Sequence, residues 1–191
     1  MTARWVVDEV KDHRDLHITW QPISLLLKNQ PPEDSAYYAG VLGTYKMLRV
    51  MESVRAAEGN DAVFSLYWEL GSRIHHDGQR GDFDMVEILE TVGLPTSHAE
   101  AFESDAFDAE IQRRHDAGLE LVGDDVGTPI IALDGADGTR QGIFGPVITR
   151  VPSTEDSLTL WDAMVAIMGI DGFWELKRTR TERPEFGDRP S

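Results

Sequence analysis

The chain has 191 residues, enough for one or two domains with a substantial core, and 41% of them are apolar, which excludes a disordered chain. Its formal net charge of −16 opposes binding to phosphate backbones, so neither nucleic acid nor an anionic membrane is an expected partner. No run approaches the roughly 18 apolar residues that span a bilayer, and no secretory signal is visible. Because cysteine is also absent, which fits a reducing compartment, we expect a cytoplasmic protein.

The first elements predicted in chain order are a helix and a strand. Residues 1–12 place Met1, Trp5, Val6 and Val10 on one helical face. Residues 17–25 alternate between apolar and polar side chains and predict a strand, in which Pro22 favours an edge position or a bulge.

Residues 34–123 show no strand pattern and predict a block of helices with identifiable starts or bounds. Asp34 or Ser35 can cap the first helix, and Asn60 can cap the second. A third helix is predicted over 83–92, a fourth begins with a capping box at 97–100, and a fifth runs over about 105–123. This uninterrupted block predicts a helical subdomain.

Strands return after residue 123. Residues 129–133 predict a buried strand, residues 134–138 a turn, and residues 141–149 a second strand that completes a hairpin. Ser153 is the expected cap of a closing helix. The tail from Lys177 to Ser191 is charged and rich in proline, so we expect it to be extended.

The string Gly127-Thr128-Pro129, which leads into the run Ile130–Leu133, is similar to the cis-proline loop of the thioredoxin superfamily. Four longer strings narrow the resemblance: Leu66-Tyr67 with Gly71–His75, Val122–Pro129, Phe144–Val147 and, most distinctive, Phe173–Glu182. Together they resemble the actinobacterial DsbA-like proteins typified by the mycothiol-dependent nitroreductase.

This resemblance implies an α/β protein with a thioredoxin-like fold, a DsbA-type helical insertion and a missing first β-strand. Residues 1–30 and 124–176 are then the thioredoxin-like core, residues 31–123 the inserted helical subdomain, and residues 177–191 the tail.

The resemblance also implies a thiol–disulfide oxidoreductase or mycothiol-dependent reductase, with mycothiol or a similar low-molecular-weight thiol as cofactor and a small thiol or aromatic substrate. The substrate-aligning loop carries over onto Val126, Thr128 and Pro129. Asn29 and Tyr37 fall where the family lines its substrate pocket, although they are also explained as a turn former and a core aromatic.

The family places a Cys-Pro-x-Cys motif, or a variant with one cysteine, just ahead of a helix similar to Thr2–Val7. This chain begins a residue or two after that motif, so we expect a late start or a truncation, with a natural redox-inactive paralogue as the alternative. The chain itself is then expected to be inactive. A redox-inactive binding or scaffold protein and a relative of kappa-class transferases or chromene-carboxylate isomerases remain open.

Other titratable residues are expected to be structural. His75, His76 and His115 lack the clustered ligands that a metal site needs. Asp124 and Asp125, next to the proline loop, are interpreted as an exposed helix terminus rather than a buried acid or base. Without its first strand the sheet would expose unpaired edges, so a homodimer that covers residues 1–10 or fills the vacant strand position is expected.

Overall fold

The computed structural model describes residues 1–79, 81–135 and 137–189. Ala136 of the expected turn and residues 190 and 191 of the expected tail lie outside this range. Contacts divide the described chain into two compact units, a first of residues 1–18 and 118–187 and a second of residues 19–117 with Asp188 and Arg189. The described residues are mostly helical, with one small antiparallel sheet.

The second unit is built from helices. They are α3 (Leu25–Asn29), α4 (Ala36–Glu58), α5 (Asn60–His75), α6 (Met85–Thr91), a 3₁₀-helix (Thr96–Glu103) and α7 (Asp108–Leu119). Ser35 caps α4 by accepting the Tyr38 N–H, as the sequence predicts. Asp84 caps α6 by accepting the amides of Val86 and Glu87.

The core of this unit forms where α4, α5, α6 and the 3₁₀-helix bury their apolar positions. Its buried members are Met47, Val50, Val54, Val63, Leu66, Leu70, Met85, Ile88, Leu89 and Ala101. Most of them recur at three- and four-residue spacing on their helices, which is why the helical pattern is legible in the sequence.

Two expected caps in this unit are wrong. Helix α5 follows Gly59, which adopts φ +88°, and the Asn60 side chain instead accepts the backbone N–H of Trp20 at 2.9 Å. The 3₁₀-helix follows Pro95 without a side-chain cap, so Ser97 does not form the expected capping box.

The first unit opens with a continuous helical segment. It consists of α1 (Thr2–Trp5), a π-helical turn (Val6–Val10) and α2 (Lys11–Arg14). It also holds β1 (Ile130–Asp134), β2 (Arg140–Phe144) and α8 (Thr154–Met168), and Ser153 caps α8 by accepting the Asp156 N–H as expected. In β1 and β2, Ile131 pairs with Ile143, and the two share the sheet face that packs on the core.

Trp5 and Val10 are fully buried in the core of this unit, where the Trp5 and Trp161 rings lie 5.8 Å apart. Burial of residues 1–10 by a second chain, one of the two dimer contacts expected, is therefore not needed at Trp5 and Val10, because α8 and the hairpin of the same chain cover them.

The predicted strand at residues 17–25 is also wrong. In the described residues β1 and β2 pair only with each other, and residues 16–24 have no regular structure. Side chains take up backbone amides that a strand partner would otherwise bind: Asn60 binds Trp20, and His115 Nδ1 accepts the Ser24 N–H at 3.3 Å. The alternation of apolar and polar side chains reflects a segment that is buried on one side and does not pair as a strand.

The second predicted strand, 141–149, is shorter than expected and ends at Phe144. Pro146 follows immediately, and proline has no N–H to continue a ladder. The turn predicted before this strand is held by two backbone hydrogen bonds, from the Gly135 N–H to the Thr139 carbonyl at 2.7 Å and from the Gly138 N–H to the Gly135 carbonyl at 2.9 Å.

Candidate functional site

The loop that leads into β1 belongs to the first unit. The Thr128–Pro129 peptide bond is cis, as is Gly145–Pro146 beyond β2. The Pro129 carbonyl accepts the Gly145 N–H at 2.8 Å, which fixes the end of the loop to the end of the hairpin. Val126 and Pro129 are half-buried, whereas Thr128 is exposed.

The backbone of Val126, Gly127 and Thr128 is unpaired. Within the residues that the structure describes, neither the N–H nor the carbonyl groups of these three residues form a hydrogen bond. Backbone groups of folded proteins are nearly always paired with protein or water. The backbone donors and acceptors of this loop are therefore left to water or to another molecule.

Close packing behind the loop supports its position. A Cβ atom placed on Gly142 of β2 would lie 2.6 Å from Leu121 Cβ and 3.3 Å from Val122 Cγ1. Real Cβ atoms do not approach so closely, so glycine at this position lets the segment before the loop pack on the hairpin.

Asn29 and Tyr37 meet in the second unit. Asn29 ends α3, Gln30 turns the chain with φ +41°, and Tyr37 lies in the first turn of α4. The Asn29 amide Nδ2 donates to the Tyr37 hydroxyl at 2.7 Å, and both side chains are exposed. The sequence does not predict that these two side chains meet. Tyr37 is 48% exposed, so it is not the core aromatic residue of the alternative interpretation.

An aromatic stack in the second unit is a feature that the sequence did not reveal. The Trp20 ring stacks on Phe64 at 5.3 Å and on Tyr67 at 5.4 Å between ring centroids. Tyr67 is 39% exposed as a residue, while desolvation raises the pKa of its hydroxyl. Phe64 and Tyr67 are three residues apart on α5, but nothing local indicates that Trp20 covers them.

The remaining titratable candidates do not assemble into a centre. His115 is buried and held by the Ser24 amide, whereas Asp124 and Asp125 are exposed, in agreement with their structural interpretation. No group of three or more His, Asp or Glu side chains in the described part of the chain could hold a metal ion.

The chain thus combines a helical unit with a proline-loop hairpin unit, and comparison with known families assigns it to a class of thiol-dependent reductases. Residues 1–178 match the Rv2466c-like family, described as the mycothiol-dependent nitroreductase Rv2466c. The chain belongs to this family, although its 191 residues contain no cysteine. None of the described helices has the length and apolar character needed to cross a bilayer.

Proposed function

We propose that this chain is the ligand-binding scaffold of a mycothiol-dependent reductase with a DsbA-like thioredoxin fold. In this proposal residues 1–30 and 124–176 form the thioredoxin-like core, residues 31–123 the helical insertion and residues 177–191 the tail. Membership of the nitroreductase family supports the class of ligand, a small thiol or an aromatic compound. The observation that carries the binding role is the unpaired backbone of residues 126–128.

The loop is proposed to align an extended ligand segment through its main chain. Val126 and Thr128 flank Gly127, and their free N–H and carbonyl groups could pair with amide groups of a ligand as an added strand pairs with a sheet edge. Mycothiol is proposed as such a ligand because of the family's thiol dependence. Pro129 would end this row of free backbone groups, because its carbonyl already accepts the Gly145 N–H.

Asn29 and Tyr37 are proposed as polar ligand contacts in the helical unit. An amide and a phenol supply both donors and acceptors, and their mutual bond at 2.7 Å fixes the orientation of each. The Trp20, Phe64 and Tyr67 stack supports a role in holding an aromatic compound, because flat rings favour offset stacking.

The chain is proposed to bind these ligands without reducing them. Thiol–disulfide exchange needs a thiolate as the attacking group. These 191 residues contain no cysteine and so provide no side-chain thiol. A binding or scaffold role therefore fits this chain better than turnover.

Calorimetric titration with mycothiol tests the assignment of the polar contacts. We expect Asn29→Ala and Tyr37→Phe each to weaken binding by about three- to tenfold, the value of one hydrogen bond. Tyr38→Phe is the matched control, because the neighbouring Tyr38 side chain has no hydrogen bond in the described residues. Unchanged affinity in both variants, or an equal loss in Tyr38→Phe, would argue against this site.

A further inference from the structure

The helical unit contains a cavity of about 360 Å³ beside α5. Its lining includes Phe64, Trp68 and Ser72 of α5, together with Thr91 and Val92 at the end of α6. All of these residues belong to the second unit. Small-molecule sites usually have volumes of about 300–1,000 Å³, so this cavity is large enough for a single small ring compound.

The α5 side of the cavity is one stripe of the helix. Phe64, Trp68 and Ser72 follow one another at a spacing of four residues, so their side chains share one helical face. The Phe64 and Trp68 ring centroids lie 5.1 Å apart, and the ring planes are tilted by 44°. Aromatic surfaces favour another flat ring, which packs on them offset or edge to face. The stripe therefore fits an aromatic ligand.

Two hydrogen-bond donors on this stripe have no partner. Ser72 is 4% exposed, and neither its hydroxyl nor the indole N–H of Trp68 forms a hydrogen bond within the described residues. A buried polar group without a partner is costly and uncommon in folded proteins. The Ser72 hydroxyl is not fully enclosed, so a molecule in the cavity can reach it. A ligand atom that accepts hydrogen bonds would satisfy both donors.

The charged side chains at the cavity, Glu69 and Arg189, are already paired within the described residues. The Glu69 carboxylate lies 2.7 Å from Arg73 Nε and 3.1 Å from Arg189 Nη2. Arg189 also pairs with Asp77 at 3.2 Å. Since neither Glu69 nor Arg189 offers an unpaired charge, the lining favours a neutral ligand over an ion.

We propose that this cavity binds a neutral aromatic carbonyl compound, such as an aryl amide. The ring packs against Phe64 and Trp68, while the carbonyl oxygen, which has two lone pairs, accepts from Trp68 Nε1 and Ser72 Oγ. Neither Asn29 nor Tyr37 lines the cavity, so this site is separate from the polar contacts proposed for mycothiol. The inference rests on the second unit alone and does not depend on the thiol chemistry.

An NMR titration of the ¹⁵N-labelled chain with benzamide tests the proposal. We expect a saturable shift of the Trp68 indole N–H resonance, with a dissociation constant in the millimolar range, as for a ligand of so few heavy atoms. The resonance is assigned by its loss from Trp68→Phe. Benzoate has the same ring but carries a negative charge, so it should bind more weakly than benzamide because Arg189 is already paired.

The variant Ser72→Ala tests the hydrogen bond to the carbonyl group. It should weaken benzamide binding about three- to tenfold, the value of one hydrogen bond. It should leave the binding of toluene unchanged, because toluene has a ring but no acceptor. Ser97→Ala is the matched control, since Ser97 is an exposed serine of the same unit that does not line the cavity. Circular dichroism checks that each variant keeps its fold.

The variant Trp68→Phe removes the second donor and keeps an aromatic ring. Binding to this variant is followed through the backbone amide of Val92, which also lines the cavity. Benzamide should again lose more affinity than toluene does.

Absence of a saturable Trp68 shift with benzamide overturns the proposal. So does a Ser72→Ala variant that binds benzamide as well as the parent, or that loses benzamide and toluene equally, because the serine would then support the fold without contacting the ligand. Tighter binding of benzoate than of benzamide also overturns it, because the cavity would then be an anion site at Arg189.

Discussion

Glu52 on α4 shows how a single buried charge is accommodated in the helical unit. Its carboxylate lies 3.1 Å from Arg55 Nε and 3.1 Å from Arg114 Nε. The carboxylate is nearly inaccessible, with 2% of its side-chain surface exposed, so these two guanidinium groups replace the water contacts that it loses on folding. The contact with Arg114 ties α4 to α7 across 62 residues of sequence.

Glu52→Gln should destabilise the protein by about 3 kcal/mol, because removing one partner of a buried ion pair leaves the other uncompensated. The loss of unfolding free energy should lie at the lower end of the usual range, because Arg114 still forms its ion pair with Glu110 at 2.7 Å. Thermal denaturation measures it. Glu103→Gln is the control, because the 71%-exposed Glu103 side chain pairs with Lys46 at the surface and should contribute at most about 1 kcal/mol.

His115 is a buried imidazole whose protonation opposes folding. Burial lowers its pKa from the ordinary value of 6.5, with a smaller opposing effect from Asp116 and a further lowering by Lys28. Its Nδ1 accepts the Ser24 N–H, a role that only an unprotonated nitrogen can fill.

The stability of the protein should therefore fall as pH drops below about 6.5. In that range the unfolded chain takes up a proton at His115 that the folded chain resists, whereas above it both forms are neutral. We expect His115→Gln to reduce the difference between thermal midpoints measured at neutral and mildly acidic pH. His17→Gln, at an exposed position, should leave that difference unchanged. An unaltered pH dependence in His115→Gln would contradict the assignment.

At the scale of elements, the sequence predicts helices well where a cap and an apolar stripe coincide. Ser35 and Ser153 show this, because each precedes a regular three- and four-residue spacing and each caps its helix. Asn60 and Ser97 are exceptions, because Asn60 precedes an apolar stripe and Ser97 has capping-box spacing, yet neither side chain caps its helix. The Asn60 side chain is recruited by Trp20, a contact across 40 residues that no local pattern contains.

Strand prediction is weaker because a strand needs a partner. Residues 17–25 alternate as a strand would, but their amides bind Asn60 and His115 instead of a neighbouring strand. By contrast, residues 130–134 and 140–144 are close in sequence and joined by a glycine-rich turn, so the pattern predicts both the strands and their pairing.

Gly142→Ala tests the packing of the hairpin against the segment before the proline loop. The new Cβ would lie 2.6 Å from Leu121 Cβ, so we expect a loss of about 1–3 kcal/mol in the free energy of unfolding. Gly169→Ala is the matched control, since a Cβ there meets nothing within 4 Å and the residue has an ordinary φ of −85°. Equal stability of the two variants would show that this contact relaxes freely.

At the scale of the whole molecule, family resemblance indicates the candidate residues and local sequence pattern does not. That resemblance singled out Asn29 and Tyr37, whose hydrogen bond is in the structure, while composition and spacing alone named neither. The aromatic stack was missed because Trp20 and Phe64 are 44 residues apart and meet only after folding. The proposed ligand class comes from the name of the family, and no single contact in the structure indicates it.

The chain should show no disulfide reductase activity in an insulin reduction assay with a dithiol donor. The reaction needs a thiolate, and these 191 residues contain no cysteine. A cysteine-containing thioredoxin run in parallel provides the positive control. Turnover above the rate with dithiol alone would require a nucleophile that is not in this sequence.

The most direct test of a binding role is an NMR titration of the ¹⁵N-labelled chain with mycothiol. We predict saturable shifts of the backbone amides of Val126, Gly127 and Thr128, because their N–H groups have no partner in the described residues. The amide of Gly145, already bonded to Pro129, should respond less. If these resonances stay in place at millimolar mycothiol, or if shifts occur only elsewhere, the chain does not bind its family's thiol at this loop.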